Sequence, residues 1–471
     1  MLNNTKQQSA YIFYLIIVII ILRFILTGLI PLMDKTESRY AEIARLMYKT
    51  QDWVVLQIDY GVPFWAKPPL STWMSATSYE LFGVNEIAAR LPYFIISLVI
   101  ILVLGKYVKQ VKERFYLLAF ILLTTPEFLL HAGVVSTDAA LCFSITLIMI
   151  SFWKTFENEK RTFWNYLFFI AIALGLLSKG PIVLVLTAPP LFIWLIIQRV
   201  SFKEVWNKIP WLTGVLITIA IALPWYLLAE NRSPGFLDYF IVGEHFKRFL
   251  VSGWKGDLYG SGHNQPMGMI WVFLLIFSFP WIQFVLIKLW GERKNILKNK
   301  WVSFLVLWLL WTPLFFTVSK NILHTYTLPV TIPIALLMVH YWQEFKKKKL
   351  LLILGSIFPF LVVIATVVVS FGNSKLIKDL NTDKFVIEKL NETEPNTPRY
   401  YWKVKSYSSQ FYSNGQIKNI DEVSLDSIYN THDKFIMLIR HRRIKDVPEI
   451  YQQKMIRIDS SKRTSVFKFK K

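Results

Sequence analysis

The chain has a single cysteine, Cys142, in 471 residues. That excludes an internal disulfide framework. Acidic residues are also scarce, with 31 Asp+Glu against 53 Lys+Arg and a formal net charge of +22. A surplus of that sign can mark nucleic-acid binding. Here many of the basic residues lie in short segments between apolar runs, where cytoplasmic loops of membrane proteins carry them. Nucleic acid is therefore set aside as a partner. No phosphate-binding loop, dinucleotide fingerprint or zinc Cys/His spacing occurs, so a nucleotide-driven reaction has no support. Internal repeats and low-complexity tracts are missing as well.

Apolar residues, in contrast, make up 54% of the chain and aromatics 16%. An ordinary soluble protein is roughly 45–50% apolar, and the excess here is gathered into long runs. The pattern predicts an all-α polytopic membrane protein with about eleven spans. They are 11–30, 91–107, 115–132, 134–152, 163–178, 181–199, 210–229, 269–288, 301–319, 325–342 and 349–371. The first run lacks a small-residue cleavage site and reads as a retained anchor. Basic clusters follow the even-numbered runs: Lys106 to Arg114, Lys154 to Arg161, Arg199 to Lys208, Arg293 to Lys300 and Lys346 to Lys349. Those exits are expected in the cytoplasm of a multi-pass plasma (bacterial inner) membrane protein. The odd-numbered exits then face outward, including loops 31–90 and 230–268 and the carboxy-terminal tail.

Within 31–90, residues 37–48 and 68–82 have helical periodicity and read as interfacial helices; 235–251 looks similar. Residues 1–371 form the expected membrane domain. The remainder, 372–471, reads as a small extracytoplasmic α/β domain. Its expected strands are 399–404, 435–440, 455–458 and 466–469, and its helices 383–391 and 423–429.

Charges within or beside spans are costly, which makes them functional candidates. Asp34, Glu37 and Arg39 crowd the exit of the first run, beside Tyr40. Together with Lys67, Asp138, Lys179, Glu244, His245, Arg248, His263, Lys320 and His324, they fall on odd-numbered exits or their loops. They are expected to converge on one face. The plainer alternatives are a helix-linking pair for Asp138 and Lys179, interfacial histidines at His245 and His263, and a snorkelling Lys67. Several cations, a few carboxylates and many aromatics suit sugar transfer from a lipid phosphate. Cations hold a departing phosphate, a carboxylate takes the proton of an attacking hydroxyl, and aromatic rings stack on sugars.

The ordered series of short motifs is specific. Thr36-Glu37-Ser38-Arg39-Tyr40-Ala41-Glu42 resembles the first-loop acidic motif of the GT-C glycosyltransferases. Phe64-Trp65-Ala66-Lys67-Pro68 resembles their aromatic-x-Lys-Pro element. Ser136-Thr137-Asp138, Ser178-Lys179-Gly180, Glu244-His245-Phe246-Lys247-Arg248-Phe249 and Ser319-Lys320 with Thr325-Tyr326 follow in order. The closest branch looks like the aminoarabinose transferase of lipid A and the protein mannosyltransferases, over about residues 10–345.

The resemblance implies a GT-C fold, a polyprenyl-phosphate-linked sugar donor, a lipid, glycan or protein acceptor, and an inverting transfer in an extracytoplasmic cavity. It implies donor phosphate on Lys67, with Arg39, Lys179 and Arg248 as further ligands, and Glu37 and Asp138 on the acceptor side. Tyr40, Glu244, His245, Lys320 and Tyr326 are candidate substrate contacts. Two departures stand out. The family's leading Asp is Thr36 here, and the carboxylate before the motif lysine is Ala66. The base is assigned to Glu37, with Asp138 and Asp34 as alternatives. In the aminoarabinose branch the residue replaced by Ala66 is tied to a divalent ion, so no metal is assigned, with His263 and His324 as possible ligands. An oligosaccharide polymerase or ligase would share the donor class. A lipid-sugar flippase would call for broken helices at matching places in two repeats, and the sequence shows neither.

Overall fold

A computed structural model describes residues 2–105, 112–247, 256–260, 264–371 and 379–470. Each of the expected spans contains helix. Among the described residues, Ser9–Leu29, Glu86–Gly105, Thr137–Glu157, Trp211–Arg232 and Lys348–Ala365 are long and apolar enough to cross a membrane. Phe163–Lys179, Ile182–Ile197 and Lys300–Phe316 are shorter apolar helices.

Local chemistry sets the helix ends. Ser136 caps Thr137–Glu157, its hydroxyl accepting from the Asp138 amide at 3.0 Å. Satisfying a free amide in this way stabilises a helix by about 1 kcal/mol. Thr162 and Asn165 form a reciprocal capping box at the start of Phe163–Lys179. That helix stops at Gly180, with φ +75°, where a Cβ would lie 2.5 Å from the Phe240 ring. Close helix packing uses small residues, as expected where lipid supplies no hydrophobic drive between helices. A Cβ on Gly214 would meet the Phe169 ring at 2.1 Å.

Three expected spans are not straight helices. Residues 115–132 divide at Thr125, where Pro126 opens the short helix Pro126–His131. The segment 325–342 begins as the 3₁₀ turn His324–Val330 before Thr331–Tyr341. The span 269–288 is two helices, Met269–Phe277 and Trp281–Gly291, bent by 108°. Pro280 sits at that corner; it has no amide hydrogen and disfavours helical backbone at Phe279. The sequence reading missed this break.

The first loop is a folded unit. Helices Thr36–Thr50 and Leu70–Phe82 flank a hairpin, β1 (Gln57–Asp59) with β2 (Val62–Pro63). Tyr40, Ile43, Ala44, Met47, Phe64 and Tyr79 pack with Tyr93, Trp225, Phe240 and Phe411 in one core. Trp65 Nε1 donates to Ser233 Oγ at 2.7 Å, and Trp225 Nε1 to the Val54 carbonyl at 3.1 Å. The 31–90 loop, the segment after 230 and the carboxy-terminal region therefore share one end of the helices, since groups in contact cannot lie on opposite sides of a membrane.

The carboxy-terminal region carries a mixed sheet of β3 (Arg399–Trp402), β4 (Lys418–Ile420), β5 (Lys434–Arg440), β6 (Met455–Ser460) and β7 (Thr464–Lys470). Their order is β4-β3-β5-β7-β6, with β3 parallel to both its neighbours. Side chains alternate between two cores. Tyr401, Ile436, Leu438 and Val466 pack under helix Lys384–Thr393, while Trp402, Phe435, Met437 and Phe467 face helix Glu422–Thr431. Strand β4 and helix Tyr407–Tyr412 were not foreseen.

Candidate active site

A cavity of about 530 Å³ opens where the helix ends meet the first loop. Its wall carries Thr36, Arg39, Tyr40, Lys67, Asp138, Lys179, Glu244, His245 and Tyr326. Residues far apart in sequence thus come together as the motif series expected.

Lys67 lies just before helix Leu70–Phe82, where Pro68 and Pro69 fix the chain. Its ammonium donates to Glu244 Oε2 at 2.9 Å and to the Ala66 carbonyl at 2.6 Å. Glu244 Oε1 also lies 3.4 Å from the Tyr239 hydroxyl. Asp138 sits in the first turn of its helix, where the helix dipole favours a carboxylate. Lys179 ends its own helix, where a cation is favoured. The two charges meet at 2.5 Å, and the Lys179 ammonium also lies 4.5 Å from the centre of the Tyr326 ring. Arg39 donates to the Tyr259 carbonyl at 3.0 Å, and its guanidinium carbon lies 5.2 Å from the Tyr40 ring centre. Its Nε is buried with no hydrogen-bond partner among the described residues.

His245 spans two carbonyls, Nδ1 at 2.8 Å from Phe240 and Nε2 at 3.1 Å from Lys179. It fastens the end of the Lys179 helix to the π-helical segment Asp238–Lys247. Burial pushes its pKa below the ordinary histidine value, against those two carbonyls.

Several expected site residues stand elsewhere. Glu37 is outside the cavity wall. Both its oxygens accept from Arg90, at 2.7 Å each, and Arg90 also donates to the carbonyls of Thr27, Ile30 and Pro31. The Glu37 carboxylate thus braces the exit of the first span. Its place off the cavity wall, where Asp138 lies on it, is what speaks against Glu37 as the base. Asp34 reaches the cavity edge, but its oxygens accept from Ser38 Oγ at 2.6 Å, Ser408 N at 3.0 Å and Ser408 Oγ at 2.8 Å, and from Ser406 Oγ. It is a clamp between the first loop and the carboxy-terminal unit. Lys320 is exposed and off the cavity wall. His324 Nδ1 pairs with the buried Glu127 at 2.9 Å. Arg248 and His263 lie outside the described residues.

Among the described residues, no three His, Cys, Asp or Glu side chains are arranged to hold a metal ion. At the position where the aminoarabinose branch supplies a carboxylate, Ala66 offers no ligand.

The sequence reading passed over Arg23, Arg90, Glu127 and Tyr259. Arg23 and Arg90 were detectable as lone cations in apolar helices. Tyr259 was not, since its role depends on loop placement: its hydroxyl donates to the Pro63 carbonyl and accepts from the Trp65 amide, each at 3.0 Å.

The fold is shared with a solved ArnT. It matches the crystal structure of ArnT from Cupriavidus metallidurans bound to undecaprenyl phosphate with a TM-score of 0.78, over 97% of each chain at 16% identity. The match takes in the carboxy-terminal sheet, which the motif resemblance had left out. Residues 9–240 match the family model described as dolichyl-phosphate-mannose-protein mannosyltransferase. The undecaprenyl phosphate-alpha-4-amino-4-deoxy-L-arabinose arabinosyl transferase 1 of Pseudomonas fluorescens is 30% identical over 64% of this chain and 54% of its own length. The corresponding transferase of Photorhabdus laumondii is 29% identical over 73% of this chain and 63% of its own. The chain thus spans less than two thirds of the length of these relatives. In sequence it is similar to these arabinosyl transferases and to the mannosyltransferase family model, and its long apolar helices are those of an integral membrane protein.

Proposed function

We propose that the chain transfers a sugar from a polyprenyl-phosphate donor to an acceptor at the extracytoplasmic face of the membrane, with inversion. The observation that carries this reading is one cavity whose wall carries Lys67, Arg39, Lys179 and Asp138, at the mouth of a bundle of apolar helices. The named activities of the relatives, which act from undecaprenyl phosphate, support it.

In this reading the isoprenoid lies along the helices and its phosphate enters beside Lys67 and Arg39. The acceptor hydroxyl approaches the opposite face of the anomeric carbon. The new carbon–oxygen bond forms as the bond to phosphate breaks. The hydroxyl proton passes to Asp138, and the electron pair leaves with the phosphate, whose charge the cations hold. Lys179 keeps Asp138 as a carboxylate before the proton arrives. Because phosphate is a good leaving group, a base weakened by that pairing suffices.

Binding of undecaprenyl phosphate to the purified full chain tests the reading. Wild type should bind and Lys67→Ala should not. No binding by wild type, or equal binding by both, would refute it.

A further inference from the structure

Three of the spans are broken, and the breaks meet at one pair of side chains. Pro126–His131, the piece that follows the break at Thr125, supplies Glu127, whose side chain is fully buried. The 3₁₀ turn His324–Val330 supplies His324. Its Nδ1 lies 2.9 Å from Glu127 Oε2 and 3.2 Å from Oε1. An ionised carboxylate only accepts, so the histidine is the donor. The same imidazole stacks on Phe277, the last residue before the 108° bend, with ring centres 4.3 Å apart. His131, one turn on from Glu127, brings a second imidazole to 3.2 Å from Oε1.

A fully buried carboxylate is costly unless it is paired. Glu127 is absent from the wall of the transfer cavity and takes no part in the proposed chemistry. What it holds is the turn. Two residues beyond His324, Tyr326 stands on the cavity wall. Its ring centre lies 4.7 Å from that of Phe316 and 4.5 Å from the Lys179 ammonium. The turn also lies against the Asp138 helix, where Cys142 Sγ donates to the Leu328 carbonyl at 3.8 Å. The hydrogen bonds of a 3₁₀ turn are poorer than those of an α-helix, so its placement depends on outside contacts.

We infer that Glu127 and His324 are positioning residues. They pin the three broken spans together and set the Tyr326 ring over Lys179, which holds the Lys179–Asp138 pair in place for transfer. The role in transfer rests on the transferase reading above, whereas the placement of Tyr326 does not.

Trace acetylation by N-hydroxysulfosuccinimide acetate, read lysine by lysine in a mass spectrometer, tests this on the full chain in phosphatidylcholine nanodiscs. An ammonium paired with a carboxylate and covered by a ring reacts slowly. His324→Phe keeps a ring against Phe277 and removes the donor. Glu127→Leu removes the carboxylate and strands no charge. Each should raise Lys179 labelling roughly threefold, the scale of one lost cation–π contact. Lys67 labelling should not change. His324→Asn, whose amide nitrogen can stand where Nδ1 stood, should restore the wild-type value. Tyr326→Leu alone should raise Lys179 labelling by itself, and neither substitution should add to that rise, since residues acting through one contact are not additive. Wild-type labelling in both His324→Phe and Glu127→Leu would overturn the inference. A joint rise at Lys67 and Lys179 would also overturn it, as general loosening, and so would an additive rise in the Tyr326→Leu background. Undecaprenyl phosphate binding on the same samples separates the two claims. If wild type does not bind that lipid, the transferase reading fails and the role in transfer falls with it, while the labelling result still decides the placement of Tyr326.

Discussion

The Lys67 ammonium lies 2.9 Å from Glu244 Oε2, across 177 residues of chain. The Lys67 side chain is 15% exposed and that of Glu244 4%, so the pair is largely shielded from water. Under the proposed function the donor phosphate competes with Glu244 for this cation. Lys67→Ala should lower transfer by roughly 100-fold or more, the usual scale for losing a group that holds developing charge. Membrane insertion should be unaffected. Lys67→Arg should also be impaired, because a planar fork does not replace a compact ammonium. Near-normal turnover of Lys67→Ala in a purified assay would remove this role.

Asp138 and Glu37 separate cleanly. Asp138→Asn should reduce turnover at least ~100-fold with donor affinity little changed, as loss of a general base does. Glu37→Gln breaks the pair with Arg90 and should act on stability, costing about 3–5 kcal/mol as other broken buried pairs do. Thermal unfolding and single-turnover rates of both variants distinguish the roles. A dead but stably folded Glu37→Gln beside an active Asp138→Asn would return the base to Glu37.

Several polar contacts tie the carboxy-terminal unit to the first loop, Lys405 with Asp59 among them. Asp34 holds Ser406 and Ser408, while Arg45 is held by the buried Glu42 and reaches the Asn414 carbonyl. Asp34→Ala should loosen that junction, since each hydrogen bond to a charged group is worth about 1.5–3 kcal/mol. Limited proteolysis of the full chain should become faster. Arg45→Ala should cost about 3–5 kcal/mol by stranding Glu42. Unchanged cleavage and melting would show that the junction does not depend on these charges.

His245 gives a pH signature. Burial depresses its folded pKa below the usual value of about 6.5, so the unfolded chain takes up the proton first. Its contribution to stability is complete above that value and is lost as pH falls through the folded pKa. The melting advantage of wild type over His245→Asn should shrink as pH falls below about 6.5. A gap independent of pH would contradict this.

The helix runs and the ordered motif series were legible in the sequence, because span length and charge placement are local signals. Of the residues sorted onto one face by side, Arg39, Lys67, Asp138, Lys179, Glu244 and His245 line one cavity. The partners of each charge were not legible. Asp34 reads as an alternative base beside its motif, yet its partner Ser408 lies 374 residues away. Glu37 carries the motif's carboxylate, but only the packed structure shows Arg90 arriving from the next span. Strand β4 spans Lys418–Ile420, too short for alternation to show. Lys320 was placed on the correct end, but its side chain turns to solvent.

Lipid and glycan mass spectrometry of cells carrying wild type, no protein, or Lys67→Ala tests the central claim most directly. Loss of the protein should raise a polyprenyl-phosphate sugar and remove that sugar from an envelope component, and only wild type should restore it. Identical lipid and glycan profiles in all three strains, or full restoration by Lys67→Ala, would contradict the account.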